Sequence, residues 1–467
     1  MKEEQTQATE SNSQKISVRE RVCYGFGDLA SNLAFSALSA FIMYYYTDVA
    51  GIAAGAAGMI ILISKLFDGV SDVCIGLLVD KTHSKHGKAR PWILWMAAPF
   101  AIGLVLVFSV PDIGQTGKVI YAFVTYTLLV AGIYTAINIP YGTMTALMTQ
   151  DQYERGVLNI FRMLFASLGS LIVSSITLSL VKAFGNDSGA WRNTFALYGT
   201  VAFLLFMACF KGTKERVKPA AGAQQAQKVS TKDSLKALLK NKYWFMMLLL
   251  QMVNYIMMGL TNNGIYFYQY NLNNRDLYSV SMIANMLPML LAIILLAAPL
   301  MKKLGKRNTA LTGAVGMLIG SGVMVLGYKI GSGSVPLIMT GIAVKGAGTG
   351  LVTSVLGGMI ADTIEYGEYR TGIRSEGLTY SASSFGGKVG NGLGSALGGL
   401  ILSLGGYVEQ AVSQTAKAQG AISIMYLYLP LALMVGILVI LYLYKLDEEY
   451  PEVMKELERR KQTAEQQ

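Results

Sequence analysis

Two aspartates lie inside an otherwise apolar stretch of the chain, in the segment from Ser64 to Trp92. Asp68 and Asp72 are four residues apart, so on a helix their carboxylates share one face. A charged group at the centre of a bilayer costs on the order of 3 kcal/mol, so proteins seldom keep one there without a use. The spacing indicates a cation site if this stretch crosses a membrane. The alternative is a structural ion pair with Lys65 or Lys388.

The composition decides between a soluble and a membrane-embedded chain. Of the 467 residues, 53% are hydrophobic and only 14% are charged, whereas soluble domains average about 25% charged residues. The chain is therefore predicted to be a polytopic membrane protein. Its formal charge of +11 does not indicate nucleic-acid binding, because the Lys and Arg residues cluster between apolar segments, as the positive-inside rule describes.

Apolar segments of about 20 residues or more, the length needed to cross a bilayer, recur along the whole chain. They predict an all-α fold with twelve transmembrane helices. Glycines and prolines within several segments indicate tilted or bent helices. The predicted spans cover residues 22–47, 53–80, 91–110, 119–149, 156–183, 193–211, 243–271, 278–301, 308–328, 335–363, 375–404 and 419–445.

The loops predict topology and domain organisation. Basic residues concentrate after the second, sixth and eighth spans, which places both termini on the cytoplasmic side. Two six-helix bundles, 22–211 and 243–445, are predicted around a central cytoplasmic loop, 212–242, with terminal tails at 1–21 and 446–467. A weak internal repeat supports two halves, since GLLVDKTHSKHGKAR after span two resembles APLMKKLGKRN after span eight. No apolar signal-peptide region is expected in residues 1 to about 20.

Two such halves are the pattern of a major facilitator-type transporter, which binds substrate between its halves near the midplane. A channel is the weaker alternative, because channels usually build a symmetric filter from several chains. The expected location is the cytoplasmic (inner) membrane of a bacterium.

Several motifs, in both halves and in the right order, carry a family resemblance. The motifs are YGFGD at 24–28, YYYTDVAGI at 44–52, FDGVSD at 67–72, DKTHSKHGKARPW at 80–92, NIPYG at 138–142, ADTIEYGEY at 361–369 and RSEGLTYS at 374–381. With these motifs the chain resembles the glycoside-pentoside-hexuronide:cation symporters, the group that contains the melibiose permease. Within that family it looks closer to the glucuronide-carrier branch than to the melibiose permease itself.

The resemblance implies a cation site and a way of resetting it. Asp68 and Asp72 match the family's cation carboxylates, Thr135 matches a ligating threonine, and Ser71 stands where the melibiose permease has an asparagine ligand. Lys388, in the glycine-rich segment FGGKVGNGLGSALGG, would pair with the carboxylates once the cation has left. A fixed stabilising bridge is the alternative for Lys388. Sodium and the proton both remain open as the coupling ion, and no cofactor is expected.

The resemblance also implies a glycoside as substrate. Asn32 and Asn138 replace aspartates of the melibiose permease, which removes carboxylates that would repel an anionic sugar. The change favours a hexuronide or another glycoside over a melibiose-like galactoside. Basic residues at membrane depth exceed acidic ones by one, which points weakly the same way; Lys345 could instead snorkel to the membrane interface or bond a carbonyl. The residues predicted to contact substrate are Asp28, Asn32, Tyr134, Asn138, Arg162, Lys345, Thr353 and Lys388.

Charged residues at the cytoplasmic ends of both halves are predicted to form gates that open and close during transport. The alternative is topology retention by positive charge, which leaves the acids unexplained. The predicted gating residues are Asp80, Arg90, Glu365, Glu368, Arg370 and Arg374.

The predicted function is symport of a glycoside, most closely a hexuronide such as a β-glucuronide, with Na+ or H+. A neutral pentoside or oligosaccharide and a lysolipid are alternative substrates. An enzyme is disfavoured because no nucleophile and base occur together, and a membrane sensor because no signalling domain is evident. The expected partners are a small-molecule glycoside and the lipid bilayer, with no nucleic acid, and the protein is expected to be a monomer. The three cysteines are expected to be structural.

Overall fold

The computed structural model describes residues 16–217, 236–330, 333–373 and 376–465. These residues form helices and no β-strand, which confirms the predicted all-α class. The main helices are α1 (Val18–Tyr44), α2 (Ala54–Asp80), α3 (Arg90–Val107), α4 (Gln115–Thr127), α5 (Thr135–Met148), α6 (Gln152–Ala183), α7 (Ser188–Gly212), α8 (Lys242–Thr261), α9 (Leu277–Leu291), α10 (Ala298–Lys329), α11 (Val335–Thr371), α12 (Glu376–Leu404), α13 (Ala416–Ser423), α14 (Leu429–Leu443) and α15 (Leu446–Glu465).

Short π-helical segments extend or join several of these helices. Each one widens the helix by a residue per turn and loosens the regular hydrogen-bond ladder, a feature often found near functional sites. The segments are Tyr45–Val49, Leu128–Tyr134, Phe267–Asn271, Ala292–Ala297 and Ile424–Tyr428.

Polar side chains fix where many of the helices begin. Ser17, Asp151, Asp187 and Asn241 each accept a hydrogen bond from the backbone N–H three residues further along. Such N-caps satisfy backbone donors that have no partner within the helix. They set the starts of α1, α6, α7 and α8 within a few residues of the predicted spans.

Nine helical stretches among the described residues are long and apolar enough to cross a membrane. One of them, Leu277–Lys329, runs through two predicted spans, which Gly305 separates with a φ of 81°. The count of twelve spans therefore stays a prediction. Large apolar side chains such as Ile294 and Leu295 are 68% and 61% exposed, and a lipid environment accounts for such a surface.

The chain divides into two compact units. Unit 1 comprises Met1–Gln225 with Glu409–Ala411, and unit 2 comprises Ala226–Val408 with Val412–Gln467. The division falls within the predicted central loop, of which 218–235 lies outside the described residues. The predicted bundle limits themselves stay predictions.

Each unit has its own core. In unit 1, Trp191 packs against the rings of Phe41, Tyr45, Phe108 and Phe195 near the ends of α1, α3 and α7. In unit 2, apolar residues of α8, α10, α11 and α14 form one cluster that also takes in Leu446, Val453 and Leu457 of α15. The predicted C-terminal tail thus forms a helix, and its apolar face packs on the other helices of unit 2.

Candidate functional site

A buried carboxylate on α2 is the centre of the candidate cation site. Asp68 is only 3% exposed, and its Oδ1 accepts a hydrogen bond of 2.8 Å from the Thr135 hydroxyl. The Lys65 ammonium lies 3.9 Å from Asp68 Oδ2, one helical turn earlier on α2. This distance is long for a charge-assisted hydrogen bond. Thr135 therefore holds the carboxylate in place, and the contact with Lys65 is a long one.

The π-helical segment before α5 positions Thr135. The segment ends at Tyr134, so Thr135 is the first residue of the regular helix. Its hydroxyl also lies 3.2 Å from the carbonyl oxygen of Val130, five residues earlier. A hydroxyl has one hydrogen to donate, and the shorter contact to a carboxylate is the stronger of the two. The π-helical segment thus leaves the Thr135 hydroxyl available to donate to Asp68 of α2.

The remaining predicted cation ligands lie close to Asp68 along α2. Asp72 is half-buried on the same helical face, as its spacing predicts. The Ser71 hydroxyl donates a 2.9 Å hydrogen bond to the main-chain oxygen of Asp68, within its own helix. The Ser71 oxygen keeps its acceptor capacity in this arrangement. Two carboxylates and two hydroxyls therefore come from α2 and α5, as oxygen ligands suited to a hard cation.

A second charged cluster joins α1, α5 and α6. The Arg162 Nε lies 2.7 Å from Asp28 Oδ2, and both side chains are mostly buried. The Tyr141 hydroxyl donates a hydrogen bond to the Tyr24 carbonyl oxygen at 2.7 Å, and Asp28 Oδ2 is an alternative acceptor at 3.2 Å. The Arg162 guanidinium also lies 4.8 Å from the centre of the Tyr141 ring. Arg162 therefore has a fixed counter-ion inside unit 1.

Close helix packing holds this cluster together. Gly27 directly precedes Asp28 in α1, and a Cβ at Gly27 would come within 2.3 Å of the Tyr141 ring. A Cβ at Gly25 would come within 2.6 Å of Phe165. The two glycines of the YGFGD motif thus let the rings of α5 and α6 reach the backbone of α1.

The other predicted sugar contacts of unit 1 lie on α1 and near the start of α5. Asn32 Nδ2 donates a 2.9 Å hydrogen bond to the main-chain oxygen of Asp28. The Tyr134 ring stacks between Phe35 and Phe100, with centroid distances of 6.1 and 6.4 Å. Asn138 is half-buried one turn after Tyr134. These residues combine amide groups with an aromatic face, as sugar binding requires.

In unit 2 the predicted site residues lie on α11 and α12. Lys345 is 8% exposed, Thr353 is exposed, and Lys388 is half-buried. The glycine-rich segment that contains Lys388 lets α8 and α12 approach closely, as predicted. A Cβ at Gly394 would come within 2.2 Å of the Ile256 oxygen of α8. The predicted pairing of Lys388 with Asp68 and Asp72 would join the two units and stays a prediction.

Five of the six predicted gating residues lie at or near helix ends within their own unit. Arg90 donates a 2.6 Å hydrogen bond to the Phe210 oxygen at the end of α7, within unit 1. Glu365 and Glu368 are half-buried and Arg370 is exposed near the end of α11. The side chain of Asp80 and the whole of Arg374 lie outside the described residues. Their gating role stays a prediction.

Three residues that contact the predicted site residues were not predicted from the sequence. Tyr24 and Tyr141 surround the Asp28–Arg162 pair, and both lie inside motifs that carried the family resemblance. Glu215 follows α7, and its carboxylate accepts the backbone N–H groups of Lys88, Ala89 and Arg90 at 2.8 to 2.9 Å. An acid directly after the sixth predicted span was the available signal.

The internal repeat has a structural counterpart in unit 2. Asp447 follows the last predicted span, and its Oδ2 accepts the backbone N–H of Arg307 at 2.7 Å. Gly87 and Gly305, at matching places in the two loops, have φ angles of 103° and 81°. These values favour glycine. In each unit an acid that follows the last predicted span thus accepts hydrogen bonds from a glycine-containing basic segment.

Comparison with known proteins places the chain among transporters. Residues 23–448 match the family model described as MFS/sugar transport protein. The isoprimeverose transporter of Lactiplantibacillus pentosus is 36% identical, with 94% of this chain and 91% of that protein covered. The glucuronide carrier protein homolog of Escherichia coli (strain K12) is 34% identical, covering 97% and 98%. The putative glycoside/cation symporter YagG of the same strain is 31% identical, covering 93% of each chain.

Proposed function

Because the chain belongs to the MFS/sugar transport protein family, we propose that it imports a glycoside together with Na+ or H+ by alternating access. The relatives named as glycoside transporters and as a glycoside/cation symporter support this proposal. The observation that carries the cation part is the buried Asp68 carboxylate, hydrogen-bonded by Thr135.

The burial of Asp68 supports a coupling ion at this place. Carboxylates in an apolar surrounding are costly, and a bound Na+ or proton lowers that cost. Thr135 and Ser71 provide additional oxygen ligands for Na+, whereas a proton needs only one carboxylate.

Cation and sugar are coupled through the equilibrium between conformations. A cation that binds Asp68 and Asp72 favours the state that binds glycoside, and by linkage the glycoside raises cation affinity by the same factor. We include the charged residues Arg90, Glu365, Glu368 and Arg370 as gating residues, whose charge pairs form in one state and break in the other. We also retain Asp80 and Arg374 in this role on the basis of the sequence.

The proposed substrate is a hexuronide such as a β-glucuronide. Asn32 and Asn138 present amides, which do not repel a carboxylate, and the relative named as a glucuronide carrier homolog covers nearly the whole chain. A neutral glycoside is the second candidate, because the isoprimeverose transporter is at least as similar and isoprimeverose carries no carboxylate.

A counterflow panel tests the substrate proposal. Purified protein in liposomes is preloaded with unlabelled sugar, and exchange of labelled sugar is measured. Phenyl β-glucuronide, phenyl β-glucoside and isoprimeverose serve as matched probes, with a lysophospholipid as the non-sugar probe. We expect exchange of phenyl β-glucuronide that exceeds exchange of phenyl β-glucoside. Exchange of the two uncharged sugars alone would establish the neutral alternative, and exchange of the lysophospholipid alone would contradict glycoside transport.

A further inference from the structure

The buried cations of the two units differ in whether they have a counter-ion. Arg162 pairs with Asp28 at 2.7 Å, and Lys306 pairs with Asp362 at 2.6 Å. Lys345 is more buried than either cation, at 8% exposure. Within the described ranges, neither an ion pair nor a hydrogen bond joins its ammonium to another group.

The position of Lys345 keeps it away from the membrane surface. It is the eleventh residue of α11, so it lies about 15 Å from the start of the helix, near the middle of a hydrocarbon core of about 30 Å. The depth and the low exposure argue against snorkelling. The bond to a carbonyl, which the sequence left open, is not formed within the described residues.

Close packing fixes the backbone at Lys345. A Cβ at Gly320 of α10 would come within 2.4 Å of the Lys345 backbone nitrogen. A Cβ at Gly346 would come within 2.2 Å of the Asn285 oxygen of α9. Helices α9, α10 and α11 therefore hold this stretch on two sides. A shift of α11 along its axis would break these contacts.

A buried ammonium without a counter-charge is unfavourable, and a ligand that supplies the charge gains binding energy by doing so. Two of the three predicted basic sugar contacts, Arg162 and Lys345, thus differ. Arg162 is already neutralised by Asp28, and binding a substrate carboxylate there would compete with that pair.

We propose that Lys345 is the specificity-determining residue that binds the carboxylate of an anionic glycoside. This inference rests on the proposed function of glycoside transport and assigns its preference for a charged sugar to one side chain. The lysine ammonium is a compact point charge, and a monoanionic carboxylate matches it in charge. A neutral glycoside gains nothing from it.

The test compares Lys345→Met with wild type in the counterflow assay, using phenyl β-glucuronide and phenyl β-glucoside. Lys329→Met is the matched control, because Lys329 is an exposed lysine at the end of α10 in the same unit. We expect Lys345→Met to raise KM for the glucuronide at least about tenfold while changing KM for the glucoside less than about twofold. Lys345→Arg is expected to retain part of the preference, and Lys329→Met all of it.

Several outcomes would overturn the proposal. An equal rise in KM for both sugars would make Lys345 a structural residue, and unchanged KM values would remove it from the site. If Lys345→Met does not fold, as judged by its elution profile and Tm, Lys345→Gln replaces it and the same criteria apply. Wild-type exchange of the glucoside but not the glucuronide would overturn the role of Lys345 and leave glycoside transport intact. Wild-type exchange of neither would overturn the proposed function itself.

Discussion

Asp68→Asn is expected to abolish cation-driven accumulation of glycoside. The substitution keeps the shape of the side chain and removes the buried charge that Thr135 holds in place at 2.8 Å. Loss of one charged oxygen ligand is expected to lower cation affinity by at least about 100-fold, since even changes to residues that only orient a ligand cost 10- to 100-fold. With a proton as coupling ion, the amide cannot titrate at all.

The measurement is uptake into proteoliposomes under an imposed Na+ or H+ gradient. Asp68→Asn is expected to reach only equilibration of the sugar across the membrane, while counterflow exchange without a gradient persists. Asp112→Asn is the matched control, because Asp112 is a fully exposed carboxylate of the same unit, and it is expected to accumulate sugar like wild type. Accumulation by Asp68→Asn at the wild-type level would show that the driving ion binds elsewhere.

Breaking the Asp28–Arg162 pair is expected to have the largest effect on stability. Each single variant, Asp28→Asn or Arg162→Gln, leaves one buried charge without its counter-ion. Removal of one partner of a buried pair costs about 3 kcal/mol or more, which for a unit of this size lowers Tm by roughly 6 to 12 °C. The double variant leaves no unpaired charge and is expected to recover more than half of that loss.

A double-mutant cycle measures this coupling through Tm in detergent. Lys118 and Asp112 form the control pair, since they lie 3.0 Å apart in the same unit with Asp112 fully exposed. Exposed pairs contribute little, so their cycle is expected to show no coupling. Additive losses at Asp28 and Arg162 would contradict the buried pair. If the pair also contacts sugar, the double variant remains impaired in counterflow despite its recovered Tm.

Much of the fold could be predicted from the sequence, because the length of apolar segments is set by the thickness of the bilayer. The start of α2 was predicted to within one residue, and the spacing of Asp68 and Asp72 was sufficient to place them on one face. The π-helical segment before Thr135 could not be predicted, since it depends on packing against neighbouring helices. The contact of Thr135 with Asp68 was therefore implied only by the family resemblance.

The pairing of charged residues was harder to predict from the sequence than the helices were. Asp28 and Arg162 are 134 residues apart, and nothing local in either segment indicates the other. By charge alone, Arg162 and Lys345 are equivalent candidates for binding an anionic sugar. The structure separates them, because a fold brings α1 and α6 together and leaves the described surroundings of Lys345 without an acid that pairs with it.

Cation-coupled transport is tested most directly by measuring how much labelled glycoside wild-type protein accumulates in proteoliposomes. The measurement is made with an inward Na+ gradient, an inward H+ gradient, or neither. One of the two gradients is predicted to drive the internal sugar concentration above the external one, and the effect should collapse when an ionophore dissipates that gradient. Equal uptake under all three conditions, reaching equilibration only, would contradict cation-coupled transport through Asp68.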